Sequence, residues 1–472
     1  MPDLTALAQQ PETIIELGKA ELYGLSLNEQ RELQLAAVRK RFSDLAGRVA
    51  VLGRLAGEQN IAEIGALEDV APLLFPHSAL KSYPMSVLER GQFDRLTRWL
   101  AGFTAHGLSH IDASSCETID DWLHLLDVET DIRVAHSTGT SGKLSLIPRD
   151  IAGMRSVVSG WIRMFDRYRD ERPHLPIPVE QAPTIFLQHR HGAMAIHRQI
   201  EFMVQLLYHG DESMLVTTQP GRFSADVASI AGRLRVAEAR GELGAVQISP
   251  RLAQKREAFV KEQQNAGSNL DHFFETIMER FRGEPVAVVG SVPHLHTIAM
   301  EAAKRGVENV FHSHSFIQAG GGMKGHVLPD DWRATVDRFL GGAPLSEGYG
   351  MSEMGMSTRI CPGGHYHIEA WQIPYLIDPQ TGAQLPRTGT LTGRYGCFDL
   401  NAQTWWGGFL TGDKVTLSWG DTEPCRCGRI GPYVHPGIRR YTEAEGGDDK
   451  ITCAGAPEAH DRALDFILDT MA

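Results

Sequence analysis

Cysteine is scarce in this chain, with six residues among 472. The N-terminal stretch MPDLTALAQQPETIIELGKAEL lacks a basic head followed by an apolar stretch, so we expect no signal peptide. Few cysteines without a secretory signal indicate a reducing compartment. These absences predict a cytoplasmic protein whose cysteines are free thiols or ligands of a metal.

Positive charge and long apolar runs are also in short supply. Lysine and arginine number 46 against 58 acidic residues, which gives a net charge of −12 and a pI near 5.9. A general nucleic-acid binder needs a basic face for phosphate contacts, so we expect no nucleic-acid partner, although one local pocket could still hold a small anion. Since no run is long and apolar enough to span a bilayer, we also expect no membrane span.

Three regions of the chain differ in their residue pattern. Residues 1–110 predict mainly helices, because apolar residues recur at three-to-four spacing in NEQRELQLAAVRKRFSDLAGRVAVLGRLA. Residues 111–440 alternate β-branched runs (TIFLQH, AVQISP, PVAVVGS) with helical stretches (LDHFFETIMERFRG, HLHTIAMEAAKRG), which predicts an α/β core of helix-covered sheets. Glycine-punctuated strands over 389–420 predict a small β-subdomain, and residues 441–472 predict a short C-terminal segment.

The stretch HSTGTSGKLSLIPRD, residues 136–150, concentrates glycines and hydroxyl side chains. Its part from 137 to 143, here called the glycine–hydroxyl loop, suits a polyphosphate, because glycines let backbone N–H groups approach a ligand and Lys143 adds positive charge. The loop is not a Walker A motif, since Ser137 stands at its first glycine and Leu144 at its Ser/Thr position. A flexible surface linker is the alternative.

Two later segments have the side chains that the rest of a nucleotide would need. SEGYGMSEMG, residues 346–355, sets Tyr349 and Glu353 four residues apart around a glycine turn. An aromatic face can stack on a base, and a carboxylate can hold Mg²⁺. FLTGDKV places Asp413 at a strand–turn, where it could accept hydrogen bonds from ribose hydroxyls. Each segment alone could be an ordinary turn, but the three in this order favour one nucleotide site.

In this order the segments resemble the adenylate-forming superfamily of acyl-CoA synthetases, luciferases and peptide-synthetase adenylation domains. STGTSGKLS is similar to its phosphate loop, GYGMSE to its adenine and magnesium motif, and TGD to its ribose motif; the resemblance covers roughly residues 60–455. IDDWLHLL, AGGGMKG and GGDDKITCAG resemble the phenylacetate-CoA-ligase-like branch, and within it the acyl-protein synthetases of bacterial luminescence, a fatty-acid reductase component. The resemblance implies the fold of that superfamily's N-terminal core.

The resemblance also implies a role for each motif residue, with ATP and Mg²⁺ as cofactors. The residues that would cradle the ATP phosphates are Thr138, Gly139, Thr140, Ser141, Gly142 and Lys143. Thr140 would also be catalytic. Gly320, Gly321 and Gly322 would line the adenine site, and Tyr349 would stack on the adenine. Ser352 and Glu353 would meet phosphate and Mg²⁺, and Asp413 would bind the ribose. Arg429 matches a Cys-x-Cys-Gly-Arg motif and is expected to reach the nucleotide.

The implied reaction converts a carboxylic acid and ATP into acyl-AMP and pyrophosphate. A carboxylate is already ionised near neutral pH, so no general base is needed. The catalytic problem is electrostatic, and Mg²⁺ at Glu353 together with loop N–H groups would offset the developing charge. In FLQHRHG, His189 and Gly192 fit a His-x-x-Gly that the family places beside the acyl pocket. A helix cap or a solvated histidine cluster is the alternative.

The C-terminal end departs from the family pattern. Most members carry a domain of about a hundred residues with a catalytic lysine after a Gly-Arg-x-Asp-Asp hinge, and residues 450–472 are too few for one. Asp448 and Asp449 are present, but glycine stands at the arginine position. We therefore expect adenylation to use another cation, Lys143 or Lys324, or a partner.

The acyl acceptor is open between a thiol, a reductase or other partner protein, an amine and CoA. Acyl-protein synthetases hold the acyl group on a cysteine near the C-terminus, and Cys453 lies in the corresponding region. A thiolate can accept an acyl group from an adenylate if its pKa is lowered. A small buried apolar side chain is the alternative for Cys453. The acid, fatty or aromatic, is open as well.

Two cysteine-containing segments predict a structural Zn²⁺ site. CPGGHYH supplies Cys361, His365 and His367, and CRC supplies Cys425 and Cys427, so three thiolates and one imidazole could complete a tetrahedron. His367 is the preferred histidine, because it enters the predicted strand YHIEAW. Free thiols in a turn are the alternative.

Two other functions stay open beside the adenylating enzyme. The shortened C-terminal end would suit a non-catalytic nucleotide-binding subunit of a biosynthetic complex, which binds ATP and releases no pyrophosphate. A scaffold that assembles through its N-terminal helices would bind no nucleotide at all.

Overall fold

The computed structural model describes residues 4–137, 142–172, 178–242, 246, 252, 255–320, 328–442 and 445. Its mixture of helices and sheets confirms the predicted α/β class. The α-helices, numbered α1 to α13 in chain order, are Leu4–Gln9, Lys19–Tyr23, Leu27–Leu45, Ala50–Glu58, Met85–Glu89, Phe93–Ala101, Ile119–Glu129, Ile151–Asp170, Ala195–Leu207, Ala225–Arg240, Arg256–Arg280, Val292–Lys304 and Trp332–Leu340. Short 3-10 helices are Pro11–Glu16, Leu67–Leu73, Ala79–Lys81, Val179–Gln181 and Glu212–Met214.

The strands form three sheets. Numbered β1 to β15 in chain order, they are Phe75–Pro76, Ile132–His136, Leu146–Asp150, Thr184–Gly192, Leu215–Phe223, Ala287–Ser291, Phe316–Gly320, Leu345–Met351, Met356–Arg359, Tyr366–His367, Gln372–Ile377, Thr390–Asp399, Gly408–Ser418, Tyr433–Val434 and Arg439–Arg440. A six-stranded sheet has the order β5-β4-β6-β7-β8-β9, and β2 pairs with β3. A seven-stranded sheet runs β10-β14-β13-β12-β11, with β1 and β15 also paired to β13.

The six-stranded sheet is parallel except for its antiparallel β8–β9 hairpin. Its central strands are apolar because helices cover both faces: Ile185, Val288 and Ile317 lie side by side in register and are fully buried. Helices α8 and α9 pack on one face, and α11, α12 and α13 pack on the other. The carboxyl ends of β4, β6, β7 and β8 therefore share one edge, where open α/β sheets bind ligands.

The N-terminal helices pack on the seven-stranded sheet in one hydrophobic core. Trp406 illustrates the contact, since its ring packs edge-on against Phe42, 6.1 Å away, and its indole N–H donates to the carbonyl of Leu73 at 2.8 Å. Strand β1 adds to this sheet by pairing in parallel with β13. The core is thus continuous across residue 110, and the division at that position stays a prediction.

Most predicted elements are present at their expected places. TIFLQH lies in β4, PVAVVGS contains β6, and the two helical stretches after residue 270 belong to α11 and α12. AVQISP and the end of the chain fall almost wholly outside the described residues. Within the described ranges, the structure contains no helix with both the length and the apolar character that a membrane crossing requires.

Candidate functional site

The carboxyl edge of the six-stranded sheet gathers residues from several predicted motifs. His189 and Gly192 lie at the end of β4, and Gly320 ends β7 opposite Ser291 of β6. Glu347 of β8 pairs with Ala319, so the chain reaches Tyr349 two residues beyond that edge. Parallel pairing places these positions together although the sequence separates them by up to about 160 residues.

The glycine–hydroxyl loop begins and ends beside this edge. The N–H of His136 donates to the carbonyl of Ala193, directly after β4, at 2.8 Å. The two ends of the loop are tied together, since Ser137 N–H donates to the Ser145 carbonyl at 3.2 Å and Ser145 N–H donates to Ser137 Oγ at 3.0 Å. Burial lowers the pKa of His136 to about 4, and its ring Nδ1–H donates to the Ser137 carbonyl at 2.9 Å. The base of the loop is therefore anchored by uncharged groups, of which His136 and Ser145 are buried.

Two predicted loop residues are described. Gly142 has a φ of +80° and lies against α10, where a Cβ would come within 3.4 Å of Val236. Lys143 donates from Nζ to the carbonyl of Tyr83 at 2.8 Å, and burial and the charge of Lys81 lower its pKa. The predicted phosphate ligands Thr138, Gly139, Thr140 and Ser141 lie outside the described residues.

Tyr349 and Asp413, taken from two separate motifs, are in direct contact. The Tyr349 hydroxyl donates to Asp413 Oδ2 at 3.0 Å, and Arg440 Nε lies 3.0 Å from Oδ1 of the same carboxylate. Arg440 is placed there by β15, which pairs with β13 at Asp413. Burial and the charge of Asp413 raise the pKa of Tyr349 well above its usual value, so the phenol stays protonated and donates.

The ring of Tyr349 is surrounded by protein. It is 8% exposed and packs at 5.7 Å from the ring of Tyr395 and at 6.4 Å from that of Tyr366. Stacking of adenine on Tyr349 and binding of ribose by Asp413 stay predictions. What the structure adds is that the two side chains form one hydrogen-bonded unit.

Residues 352–355, here called the Glu353 turn, follow β8. The turn closes through a hydrogen bond from Gly355 N–H to the Ser352 carbonyl at 3.2 Å. Both Ser352 and Glu353 are partly exposed. Burial raises the pKa of the Cys397 thiol most, and the negative charges of Asp399 and then Glu353 raise it further. Since Cys397 belongs to β12, the Glu353 carboxylate lies close to that strand. Its role as a Mg²⁺ ligand stays a prediction.

His189 belongs to a histidine–phenylalanine cluster at the end of β4. The centre of its ring lies 5.7 Å from that of Phe223. The ring of His197 stacks on Phe223 as well, with ring centres 5.5 Å apart and an interplanar angle of 24°. Gly192 permits this packing, since a Cβ there would lie 2.8 Å from His197 Nδ1. Burial, and next the proximity of His189, lower the pKa of His197 well below its usual value. The acyl-pocket role of His189 stays a prediction.

Arg429 pairs with a carboxylate of the protein. Its guanidinium makes two hydrogen bonds to Glu171, at 2.6 Å from Nε and 2.5 Å from Nη2, and the side chain is largely buried. This bidentate pair occupies Nε and Nη2, so a contact with a nucleotide would have to use Nη1. The nucleotide role of Arg429 stays a prediction.

Four predicted metal ligands lie together at one end of the seven-stranded sheet. The ligand atoms of Cys361, His367, Cys425 and Cys427 are all within 4.8 Å of one another. Two sulfurs bound to one tetrahedral zinc at about 2.3 Å lie about 3.8 Å apart. The sulfurs of Cys361 and Cys425 are separated by 3.7 Å, and Cys427 Sγ is 3.3 Å from His367 Nε2. The residues present fit a tetrahedral Zn²⁺ site.

The backbone around these sulfurs is folded into tight turns. Gly364 N–H donates to the Cys361 carbonyl at 2.9 Å, and Gly428 N–H donates to the Cys425 carbonyl at 3.0 Å. A Cβ on Gly363 would lie 2.9 Å from Cys425 Sγ, so a larger residue would separate the thiols. Burial, followed by the charge of Arg429, lowers the pKa of His367 to about 2, so its imidazole is neutral.

Several predicted residues fall outside the described part of the chain. They are Gly321, Gly322, Lys324, Asp448, Asp449 and Cys453. Conversely, sequence reasoning missed Arg149 and Arg440, whose contacts lie at the centre of the site. The dipeptide RR at 439–440 and the buried strand LIPRD were the available signals, but neither identifies a partner without the sheet pairing.

Comparison with known proteins gives matches among solved structures. No protein-family model and no curated protein matches the chain. An open conformation of 2-hydroxyisobutyryl-CoA ligase, in complex with 2-HIB-AMP and CoA, is similar over 89% of this chain and 76% of that chain, with 12% identity and a TM-score of 0.48. ATP-bound MatB from Rhodopseudomonas palustris is similar over 64% of this chain and 46% of that chain, with 16% identity and a TM-score of 0.33.

A third solved structure is a long-chain-fatty-acid-CoA ligase from Archaeoglobus fulgidus. It is similar over 66% of this chain and 52% of that chain, with 11% identity and a TM-score of 0.35.

Proposed function

We propose that this chain is an ATP-dependent, AMP-forming carboxylate ligase. The main support is convergence in space: Tyr349 is hydrogen-bonded to Asp413, and Arg149, in the strand after the glycine–hydroxyl loop, binds the carbonyl of Glu353. The segment with Tyr349 and Glu353 is therefore in contact with Asp413 of the second segment and with the strand that follows the glycine–hydroxyl loop. All three segments resemble nucleotide motifs of one enzyme family. A linker and two unrelated turns would not be expected to meet in this way.

The proposed reaction forms one bond and breaks one bond at the α-phosphorus of ATP. A carboxylate oxygen of the acid attacks this phosphorus, and the bond to the bridging oxygen of pyrophosphate breaks, giving acyl-AMP and pyrophosphate. No proton needs to be removed, because the acid is ionised near neutral pH. Mg²⁺, when bound, would offset the negative charge of the phosphates.

The residues of the chain would orient the reactants. Backbone N–H groups of the glycine–hydroxyl loop would donate to phosphate oxygens, and Glu353 would hold the metal. Asp413, aligned by Tyr349, would accept from ribose hydroxyls, and His189 would lie beside the acid. The acyl group would then pass to a thiol, a partner protein or another acceptor, with Cys453 one candidate.

A structural Zn²⁺ is the second part of the proposal. Cys361, His367, Cys425 and Cys427 would bind it as three thiolates and one neutral imidazole. The site would link the turn after β9 to the loop between β13 and β14, and it would take no part in the chemistry.

Exchange of labelled pyrophosphate into ATP, measured over fatty and aromatic acids, tests the adenylation. We expect exchange that depends on one class of acid, with acyl-AMP detected by mass spectrometry. Glu353→Gln should reduce the rate by about hundredfold or more, because it removes a charge that holds the metal. Glu308→Gln, at an exposed position in the loop before β7, is the matched control and should keep the wild-type rate.

Two outcomes would overturn this proposal in different ways. ATP binding without exchange for any acid would favour a non-catalytic nucleotide-binding subunit. The absence of nucleotide binding altogether would favour the scaffold.

A further inference from the structure

Arg149 lies where the strand after the glycine–hydroxyl loop, the Glu353 turn and the seven-stranded sheet meet. It is 2% exposed, in a position on β3 that sequence reasoning assigned no function. Its Nη2 donates to the carbonyl oxygen of Glu353 at 2.8 Å, and its Nη1 donates to Asp399 Oδ2 at 3.2 Å. The guanidinium also lies over the ring of Trp405, 5.2 Å from its centre.

The Glu353 turn is shaped to receive this guanidinium. Gly355 has a φ of +67°, and a Cβ there would lie 2.7 Å from Nη2 of Arg149 and 2.8 Å from a methyl of Val157. A second side chain binds the same glycine, since Gln199 of α9 donates to the Gly355 carbonyl at 2.6 Å. The turn is thus fixed at two carbonyl groups by side chains from β3 and α9.

Both anchoring elements are also the elements that frame the glycine–hydroxyl loop. Strand β3 begins directly after Ser145, whose N–H closes the base of the loop. Helix α9 begins directly after Ala193 and Met194, where β2 joins the edge of the six-stranded sheet. Arg149 and Gln199 therefore connect the turn to the same framework that holds the loop.

Stability alone is a weak reason for such an ion pair. Asp399 is fully buried and Arg149 nearly so, and desolvation of two charges consumes most of their attraction. Apolar side chains of similar volume often stabilise a core as well or better. What a planar guanidinium provides, and an apolar side chain does not, is a fixed direction for two hydrogen bonds.

We propose that Arg149 is a positioning residue, which fixes the turn bearing Glu353 relative to the strand pair that brackets the glycine–hydroxyl loop. The consequence for activity rests on the proposed function, in which Glu353 holds Mg²⁺ between that turn and the phosphates. A metal ligand and phosphate donors on separate segments must keep their relative position to within about 0.5 Å. Arg149 supplies that constraint without touching the substrate.

Two readouts test this inference, one of which needs no activity. Hydrogen–deuterium exchange, followed by mass spectrometry, should become faster in peptides covering residues 352–357 when Arg149→Met removes the donors. In the exchange of pyrophosphate into ATP, the same variant should need about tenfold more Mg²⁺ for half-maximal rate, while the KM for the acid changes little. Arg149→Lys keeps the charge but not the fork, so it should recover only part of the effect.

Matched variants separate positioning from general damage. Arg133 pairs with Arg149 across β2 and β3. Among the described residues, its side chain donates only to the carbonyls of Thr130 and Ile132, both at 2.9 Å. Arg133→Met should leave both readouts unchanged. Gln199→Ala removes the second anchor of the turn and should reproduce a smaller part of the Arg149→Met effect, which keeps the test valid if Arg149→Met folds poorly.

The outcomes separate this inference from the proposed function. Unchanged deuterium exchange in both Arg149→Met and Gln199→Ala would overturn the positioning role, whatever the activity. If wild-type protein exchanges no pyrophosphate but Arg149→Met loosens the turn, the structural role stands and its link to Mg²⁺ falls with the enzyme proposal. An unchanged Mg²⁺ requirement in active Arg149→Met would also overturn that link.

Discussion

At the scale of single residues, the contact between Tyr349 and Asp413 is the most informative in the site. A buried phenol with a raised pKa donates to a carboxylate that Arg440 engages on its other oxygen. A carboxylate engaged at both oxygens is restrained in its orientation, so its remaining lone pairs keep a preferred direction. For a group proposed to bind ribose, that rigidity lowers the entropy lost on binding.

Tyr349→Phe should lower the free energy of unfolding by about 1–3 kcal/mol, since it leaves a buried carboxylate oxygen without its donor. The measurement is urea unfolding at equilibrium, followed by tryptophan fluorescence. If the pair also aligns Asp413 for a nucleotide, the Kd for ATP should rise in the same variant.

Tyr375→Phe is the control, because its hydroxyl is buried and makes no hydrogen bond to any residue that the structure describes. Removing this hydroxyl should cost little stability. Equal destabilisation by both substitutions would show that the hydrogen bond to Asp413 contributes nothing specific.

At the scale of elements, helices α7 and α10 cap each other with two aspartates. Asp226, in the first turn of α10, accepts from the N–H groups of Ile119 and Asp120 at 2.9 and 3.0 Å. Asp120 in turn accepts from the N–H of Ala225 at 3.0 Å and from a serine hydroxyl beside it. Each carboxylate thus serves the N-terminus of the other helix, where negative charge is favourable.

The exchange of caps also brings two carboxylates close together, which gives a pH dependence. Burial and the charge of Asp120 raise the pKa of Asp226 well above its usual value. A carboxyl with a raised pKa in the folded state stabilises the fold at low pH, and this contribution is lost as pH rises from the unfolded pKa, about 4, through the folded pKa.

Asp226→Asn removes this titration, so the stability of the wild type relative to the variant should fall as pH rises above about 4. The slope should approach 1.4 kcal/mol per pH unit, roughly, until the raised pKa is passed. Chemical denaturation at a series of pH values measures it. A difference that is constant with pH would contradict the raised pKa.

Asp112→Asn is a control of opposite sign. Hydrogen bonds from Ser114 lower the pKa of the exposed Asp112, so its contribution to stability appears above its unfolded pKa and is lost as pH falls. In that variant the relative stability of the wild type should increase with pH.

At the scale of the whole molecule, the cysteine–histidine cluster joins distant parts of the chain. Cys361 and Cys425 are separated by 64 positions, yet their sulfurs lie 3.7 Å apart. If Zn²⁺ occupies the cluster, purified protein should contain about one zinc per chain by elemental analysis. Chelation should then lower the Tm, because a metal at a hundredfold excess over its Kd stabilises the folded state by about 2.7 kcal/mol.

Cys425→Ala should abolish the bound zinc, whereas Cys116→Ala should leave it unchanged. Cys116 is also a buried free cysteine, but it belongs to a separate hydrophobic cluster. Zinc-free wild-type protein with an unaltered Tm in chelator would establish that the four side chains are simply packed thiols and an imidazole.

Much of the secondary structure could be predicted from local pattern. Strand β6 and the first half of β4 are short β-branched and apolar runs next to proline or glycine, and α11 and α12 have helical periodicity over more than ten residues. The motif residues Tyr349, Glu353 and Asp413 were found because each lies in a short, recognisable stretch. Arg149 and Arg440 were not, because an arginine in a strand has no local signature of its partner.

The sequence by itself determined most of the helices and strands and the α/β class, since these depend mainly on neighbours within about ten positions. It also predicted which residues would hold a nucleotide or a metal, from short motifs. The tertiary structure alone decided which of those residues meet. Parallel pairing brought His136 to the end of β4, and pairing of β15 with β13 placed Arg440 on Asp413. Such contacts join segments far apart in the chain, and only the packed core specifies their register.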